Sequence, residues 1–298
     1  MAPPLHIHLI DELKTGGAQT HLVTMLRESL SRYPYRHRAA ALFGDGPIGG
    51  QLRALGIPVD VFDLRSQFAR KRFFQAASLL ESYFRRRRPA LVEAHLTWSR
   101  LLGLYAAWRA RVPLRIGFEQ GDIYLDSCKF RAANFAGQRF AHRIVVCSEA
   151  LGDWARRTHG ISRRRLAVLH NCVDTRRFQP RANPELRGSW RFPGAPVIFA
   201  AAGTLGAGVN KRVDVLIRAV ADARSRGADA ALVVCGDGRQ RPALDALAAE
   251  LGVSGAVRFL GMRSDVADVL AACDAFCHAA PFEPFGIVCI EAMAVGLP

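Results

Sequence analysis

The sequence predicts an α/β protein made of two doubly wound parallel-sheet domains, and three observations carry that prediction. Short apolar runs of strand length alternate with helix-periodic segments along the whole chain, the pattern of repeated βα units whose strands are buried on both faces. A stretch rich in Pro, Arg and Gly at 179–196 interrupts the alternation, which then restarts, so 1–178 and 197–298 read as domains on either side of a linker. The 298 residues are also enough for two domains of ordinary size, each with its own core.

The first strand is expected at Leu5–Ile10, followed by Lys14-Thr15-Gly16-Gly17 and a helical pattern over 18–30. Strand, glycine turn and helix open a doubly wound domain, whose ligands lie at the carboxyl ends of the strands. Gly16 and Gly17 allow the backbone to approach a phosphate or sugar closely, although a bare glycine pair is also an ordinary turn. Further strands are expected at 38–43, 59–62, 91–94, 115–118, 143–147 and 166–169, with helices at 48–55, 68–84, 99–110 and 149–158. The 68–84 segment carries Arg70, Lys71 and Arg72 at one end and Arg85, Arg86, Arg87 and Arg88 at the other. It reads either as an amphipathic patch for an anionic membrane surface or as a surface helix with its aromatics turned inward.

His95 closes the 91–94 strand; a lone histidine there is more often structural than functional. Glu119, Gln120 and Asp122 follow the next strand, and suit either hydroxyl recognition or a solvated loop. Ser148-Glu149 reads as a helix N-cap with an acid in the first turn. In the second domain a strand at 197–201, a loop at 203–210, a helix at 213–226 and strands at 230–235, 257–261 and 274–278 are expected.

The chain then reaches PFEPFGIVCIEAMAVGLP, in which Glu283 and Glu291 stand eight positions apart. The apolar run after Phe285-Gly286 reads as a helix starting at the glycine. Unpaired amides near Gly286 and Ile287 then suit a phosphate or a polar sugar. A single glutamate is usually a solvated surface acid; here the whole string carries the signal.

Composition bounds the function. No run of eighteen apolar residues indicates a membrane span, and the start MAPPLHIHLIDELK lacks the features of a signal peptide. The seven cysteines are scattered without a C-x-x-C pair, which fits a reducing cytoplasm rather than a disulfide framework or a zinc site. The net charge of +15 favours anionic ligands and surfaces. The lysines are Lys14, Lys71, Lys129 and Lys211 and the other basic residues are arginines, a skew with little to say about partners. No nucleic-acid module is recognised.

The terminal string resembles the E-x7-E signature of retaining glycosyltransferases of the GT-B fold, most closely glycosyltransferase family 4. It matches at Glu283, Phe285, Gly286, Glu291, Ala292, Met293, Ala294, Gly296 and Pro298. The Gly16-Gly17 loop, the His170–Pro180 segment and Gly236-Asp237-Gly238 also look like family features, and the resemblance covers essentially the whole chain. It implies two Rossmann-like domains facing across a cleft, with sugar transfer from a nucleotide diphosphate to a glycan or lipid-linked acceptor. Catalytic roles would fall to Glu283, His95 and Lys211. Donor contacts would come from Gly16, Gly17, Lys211, Met262, Glu283, Phe285, Gly286, Ile287 and Glu291. Lys211 would sit on the diphosphate, Glu283 on the sugar hydroxyls and Glu291 on the ribose, with no metal. A cytoplasmic enzyme of envelope or polysaccharide synthesis, peripheral on the inner membrane face, is the implied setting.

Three positions depart from the family pattern: Cys172 and Arg212 stand where glycine is usual, and Thr204 stands where arginine is usual. The family continues past the signature, so the second domain is expected to be incomplete at Pro298. A non-catalytic binding or scaffold protein of the same fold is the alternative reading.

Overall fold

The computed structural model describes residues 3–121, 135–194, 196–206 and 211–298. Contacts divide the chain into two compact units, Met1–Cys172 and Val173–Pro298. The first contains seven parallel strands: β1 (Leu5–Ile10), β2 (Arg36–Ala41), β3 (Val59–Val61), β4 (Leu91–His95), β5 (Leu114–Glu119), β6 (Arg143–Val146) and β7 (Leu166–Val168). Their order is β3-β2-β1-β4-β5-β6-β7, so the winding reverses between β1 and β4. The second unit holds β8 (Val197–Ala202), β9 (Ala230–Cys235), β10 (Val257–Gly261) and β11 (Ala275–Phe276) in the order β10-β9-β8-β11, with its reversal between β8 and β11. Each is a Rossmann-like sheet, as the alternation predicts. Among the described residues no helix is long and apolar enough to cross a membrane.

Burial on both faces explains the strand sequences. All six residues of β9, AALVVC, are buried, and alternate positions feed two separate cores, Ala231 and Val233 on one face, Leu232 and Val234 on the other. In β1, Ile7 and Leu9 pack towards the helix Phe73–Arg87, whereas Ile10 packs with Leu22 and Leu26 of α1 (Gly17–Ser29). Burying one such side chain stabilises the fold by about 1.5–3 kcal/mol, so strand identity is set by core demand more than by local propensity.

Two expectations need correction. The helix expected over 68–84 is broken into Arg65–Ala69 and Phe73–Arg87, with Lys71 left-handed at φ 54 between them. Residues five apart on one straight helix point about 140° apart, which would separate Phe68 from Phe73. The break lets both meet Trp98, at ring centroids 4.8 and 5.8 Å, and each other at 5.3 Å. Three aromatic contacts outweigh one continuous backbone ladder.

The second concerns the linker. Within 179–196, Pro184–Ser189 forms a helix whose N-cap Asn183 accepts a hydrogen bond from the Leu186 amide at 3.1 Å. Phe178 and Trp190 are buried in the second unit's core. The segment therefore packs with the second unit. The N-cap reading at Ser148 matches the structure: its Oγ accepts from the Leu151 amide at 3.2 Å. Cys172 is not among the left-handed non-glycine residues, so the cysteine carries no strain of that kind.

Candidate active site

The second unit assembles its polar groups where the winding reverses, the position at which open parallel sheets hold ligands. Lys211 follows the loop after β8, and Glu283 follows β11. Their side chains meet across the reversal, with Lys211 Nζ donating to Glu283 Oε2 at 2.5 Å. His278 Nε2 lies 3.1 Å from the same oxygen. Burial by itself raises the Glu283 pKa, but hydrogen bonds from His278 and Lys211 outweigh it and hold the carboxyl below its ordinary value. It is a carboxylate at neutral pH.

Backbone geometry supplies the rest. Gly286 adopts φ +80 directly ahead of the helix Ile287–Val295, a left-handed conformation that glycine reaches without a Cβ penalty. The helix starts where the sequence predicts, and its first amides are donors without helical partners. Beside it, the loops after β8, β9 and β10 are fastened together. The Gly203 amide donates to the Cys235 carbonyl at 2.9 Å, and the Gly236 amide to the Gly261 carbonyl at 2.9 Å. Met262 follows that clasp and is exposed. Lys211 lies over Gly203, where a Cβ would come within 3.0 Å of its Cε. The neighbouring Arg212 is committed elsewhere: its guanidinium forks onto Asp214, Nε to Oδ1 at 3.0 Å and Nη2 to Oδ2 at 3.1 Å.

Glu291 is half-buried on the Ile287–Val295 helix. Burial pushes its pKa up to about 7, with Arg177 pulling against the shift. Glu283 and Glu291 are therefore tuned in opposite directions, one held ionised by partners and one titrating near neutrality.

The first unit has a second candidate region at its own reversal. A cavity of about 520 Å³ opens there, lined by Asp11, Gln19, Arg65, Phe68 and Trp98 among others. Gly16 precedes the first turn of α1 in extended backbone, and a Cβ on it would collide with Gln19 Oε1 at 2.5 Å. Asp11 fixes the cavity wall, accepting from the Ser99 amide and Ser99 Oγ, both at 2.7 Å. His95 does not reach this surface. Its ring is fully buried against Phe118, with centroids 4.9 Å apart, and burial lowers its pKa. Glu119 is neither a hydroxyl reader nor a solvated acid: it is buried in a 2.6 Å ion pair with Arg100. Asp122 and residues 207–210 lie outside the described residues.

The structure thus gathers Lys211, Glu283, Gly286, Ile287 and Met262 at the second unit's strand ends, while Gly16 and Gly17 sit at the first unit's and His95 lies inside it. Sequence reasoning missed His278, although a histidine closing a predicted strand five residues before Glu283 was a usable signal. It also missed the cavity aromatics, because Phe68 and Trp98 look like any core residues until the helix break is known.

A family profile described as Glycosyltransferase Family 4 matches residues 15–177, and one described as Glycosyl transferases group 1 matches residues 183–298. The chain is 46% identical over 67 residues to the lipopolysaccharide core biosynthesis glycosyltransferase LpsE of Rhizobium meliloti, covering 22% of this chain and 20% of that protein. It is 32% identical over 169 residues to the D-inositol 3-phosphate glycosyltransferase of Saccharomonospora viridis, covering 53% of this chain and 39% of that one. The chain thus matches well under half the length of either relative. Among solved structures, Anabaena Alr3699/HepE in complex with UDP and glucose has a TM-score of 0.85 at 22% identity, covering 99% of this chain and 79% of that one. That is a likeness of fold.

Proposed function

We propose, since this chain belongs to glycosyltransferase family 4, that it moves a sugar from a nucleotide diphosphate to an acceptor hydroxyl with retention at the anomeric carbon. The observation that carries this reading is the Lys211–Glu283 pair at the reversal of the second sheet, beside a glycine-opened helix N-terminus. A compact cation and free amides suit a leaving diphosphate. A carboxylate held ionised suits hydrogen bonds from sugar hydroxyls. Donor binding would exchange the Lys211–Glu283 contact for one between Lys211 and phosphate and one between Glu283 and the sugar. As the glycosidic bond to phosphate breaks, charge would grow on the departing oxygen, where Lys211 and the amides at Gly286 and Ile287 stabilise it. That same oxygen would take the acceptor's proton on the face where the new bond forms, so the step needs neither a separate protein base nor a metal. The resemblance extends donor contacts to Gly16, Gly17 and Phe285, which Gly16→Ala tests by donor affinity; His95, fully buried against Phe118, is not assigned a catalytic role.

Uridine diphosphate sugars are the first donors to test, because the similar Anabaena structure holds UDP. An envelope glycan is the acceptor class suggested by the lipopolysaccharide relative, and inositol phosphate is the alternative that the other relative suggests. Glu291 is proposed to hold the ribose. Ribose hydroxyls donate best to its ionised form, so with a pKa near 7 donor affinity should rise about tenfold between pH 6 and pH 8. Titration of nucleotide binding against pH tests this. Glu291→Gln should bind more weakly and lose the pH slope, and a slope unchanged in that variant would remove Glu291 from the assignment.

A peripheral membrane position is part of the same proposal. Arg70, Lys71 and Arg72 are exposed at the helix break, and Phe74 next to them is 85% exposed. Arg85 is instead paired with Glu81, and Arg87 lies over the Tyr83 ring. Three free basic groups add roughly 1 kcal/mol each on an anionic surface. The chain should therefore sediment with phosphatidylglycerol vesicles at low salt and not with phosphatidylcholine, and Phe74→Ser with Arg70→Glu should abolish this. Equal sedimentation of wild type and variant would place the membrane contact elsewhere.

A further inference from the structure

The first unit buries an unusual set of groups on one face of its sheet, outside the site described above. His6 and His8 of β1 share a face; His37 of β2 is in register with His6, and Glu93 of β4 with His8. His6, His8 and Glu93 are almost wholly buried, and His37 is half-buried. Glu93 Oε2 lies 2.9 Å from His6 Nε2 and 3.0 Å from His8 Nδ1. On the other side of the His8 ring, Nε2 lies 3.0 Å from His37 Nδ1. Each of His6, His8 and His37 offers a ring nitrogen within 4.8 Å of the others.

We propose that His6, His8 and His37 form a binding site for a divalent transition-metal ion of the zinc class, with Glu93 as the positioning residue behind them. Tautomer chemistry supports this beyond mere proximity. A carboxylate oxygen can only accept, so at 2.9 and 3.0 Å its two contacts favour protons on His6 Nε2 and His8 Nδ1, although neither is aligned as a hydrogen bond. Each ring then keeps its lone pair on the opposite nitrogen, and His8 Nε2 faces His37. A carboxylate that takes the remote N–H of a ligating histidine is the usual arrangement behind metal-bound imidazoles. Two nitrogens on one tetrahedral ion at 2.0–2.1 Å stand about 3.3 Å apart, close to the observed 3.0 Å between His8 Nε2 and His37 Nδ1. His37 Nε2 has no hydrogen-bond partner, so the ring can turn onto an ion without giving up a hydrogen bond at that nitrogen. The half-buried face of His37 gives an ion its way in and leaves the fourth position to water. The site lies towards the amino ends of β1 and β2, whereas Gly16 and the cavity lie at the carboxyl ends. Its role is therefore to tie β1 to β2 rather than to join the transfer reaction.

The test uses the untagged 298-residue chain, stripped with chelator and titrated with Zn2+ by competition with a chromophoric chelator, and with Co2+ by visible absorption. One ion per chain is expected, with a tetrahedral Co2+ band and a rise in melting temperature on adding Zn2+. His37→Gln, at a half-buried position that tolerates the change, should lower the affinity at least 100-fold. Glu93→Gln should lower it about 10–100-fold while keeping the one-to-one stoichiometry. Circular dichroism confirms that each variant is folded; if Glu93→Gln is not, His6→Gln takes its place, with the loss expected for His37→Gln. Wild type without the tetrahedral band, or His37→Gln binding Zn2+ as tightly as wild type, would overturn the proposal.

Discussion

Lys211→Met lowers the turnover of the nucleotide sugar by about 10²–10³-fold, the cost of removing one preorganised donor from a developing anion. The substitution keeps the length and apolar stem that lie over Gly203, so the loop retains its packing. What it removes is the charge that Glu283 and the leaving phosphate would share. Glu283 would then keep only His278 of its two short side-chain partners, and its pKa should move upward. The loss should therefore be steeper at pH 6 than at pH 8. Steady-state rates at both pH values check this. Glu283→Ala should likewise act mainly on turnover, and Glu291→Ala mainly on nucleotide affinity; unchanged rate and affinity in both would remove the two acids from the site.

Gly236→Ala should be the most damaging single methyl group in the second unit. Gly236 holds φ +150, and a Cβ there would stand 1.9 Å from the Gly203 carbonyl oxygen. That neighbour is backbone rather than a flexible side chain, so the clasp joining the loops after β8, β9 and β10 must open. Strain of this kind costs of order 3 kcal/mol with the lost hydrogen bonds included, roughly a 10 °C fall in melting temperature for a unit this size. Nucleotide binding should fall with it, because Lys211 rests on Gly203. Gly227→Ala is the control: φ is +86, but nothing lies within 4 Å, so only about 1–2 kcal/mol of left-handed strain is expected. Thermal melts of the two variants side by side separate collision from strain, and equal melting temperatures would contradict this account of the clasp.

Much of the fold was legible because parallel strands buried on both faces leave runs such as AALVVC that little else produces. The helix start at Gly286 was legible for a local reason, since a left-handed glycine and a following apolar run are both written in the sequence. The break at residues 70–72 was not, because its cause is Trp98, nearly thirty positions downstream. The helix at Pro184–Ser189 was hidden by its own signals: Asn183-Pro184 punctuates a loop and starts a helix equally well. Glu119 misled for a related reason. An acid after a strand looks solvated until its partner Arg100, nineteen residues earlier, is seen beside it. His6 and His8 alternate with Ile7 in a strand otherwise apolar, a pattern that cysteine spacing does not report.

The most direct measurement is turnover by the folded 298-residue chain against a panel of uridine, guanosine and adenosine diphosphate sugars, with the anomeric configuration of any product read by NMR. Slow transfer or hydrolysis from one donor, with retained configuration and at least a 100-fold loss in Lys211→Met, is the expected result. Inverted product, or turnover unaffected by Lys211→Met, would contradict the assignment of this site.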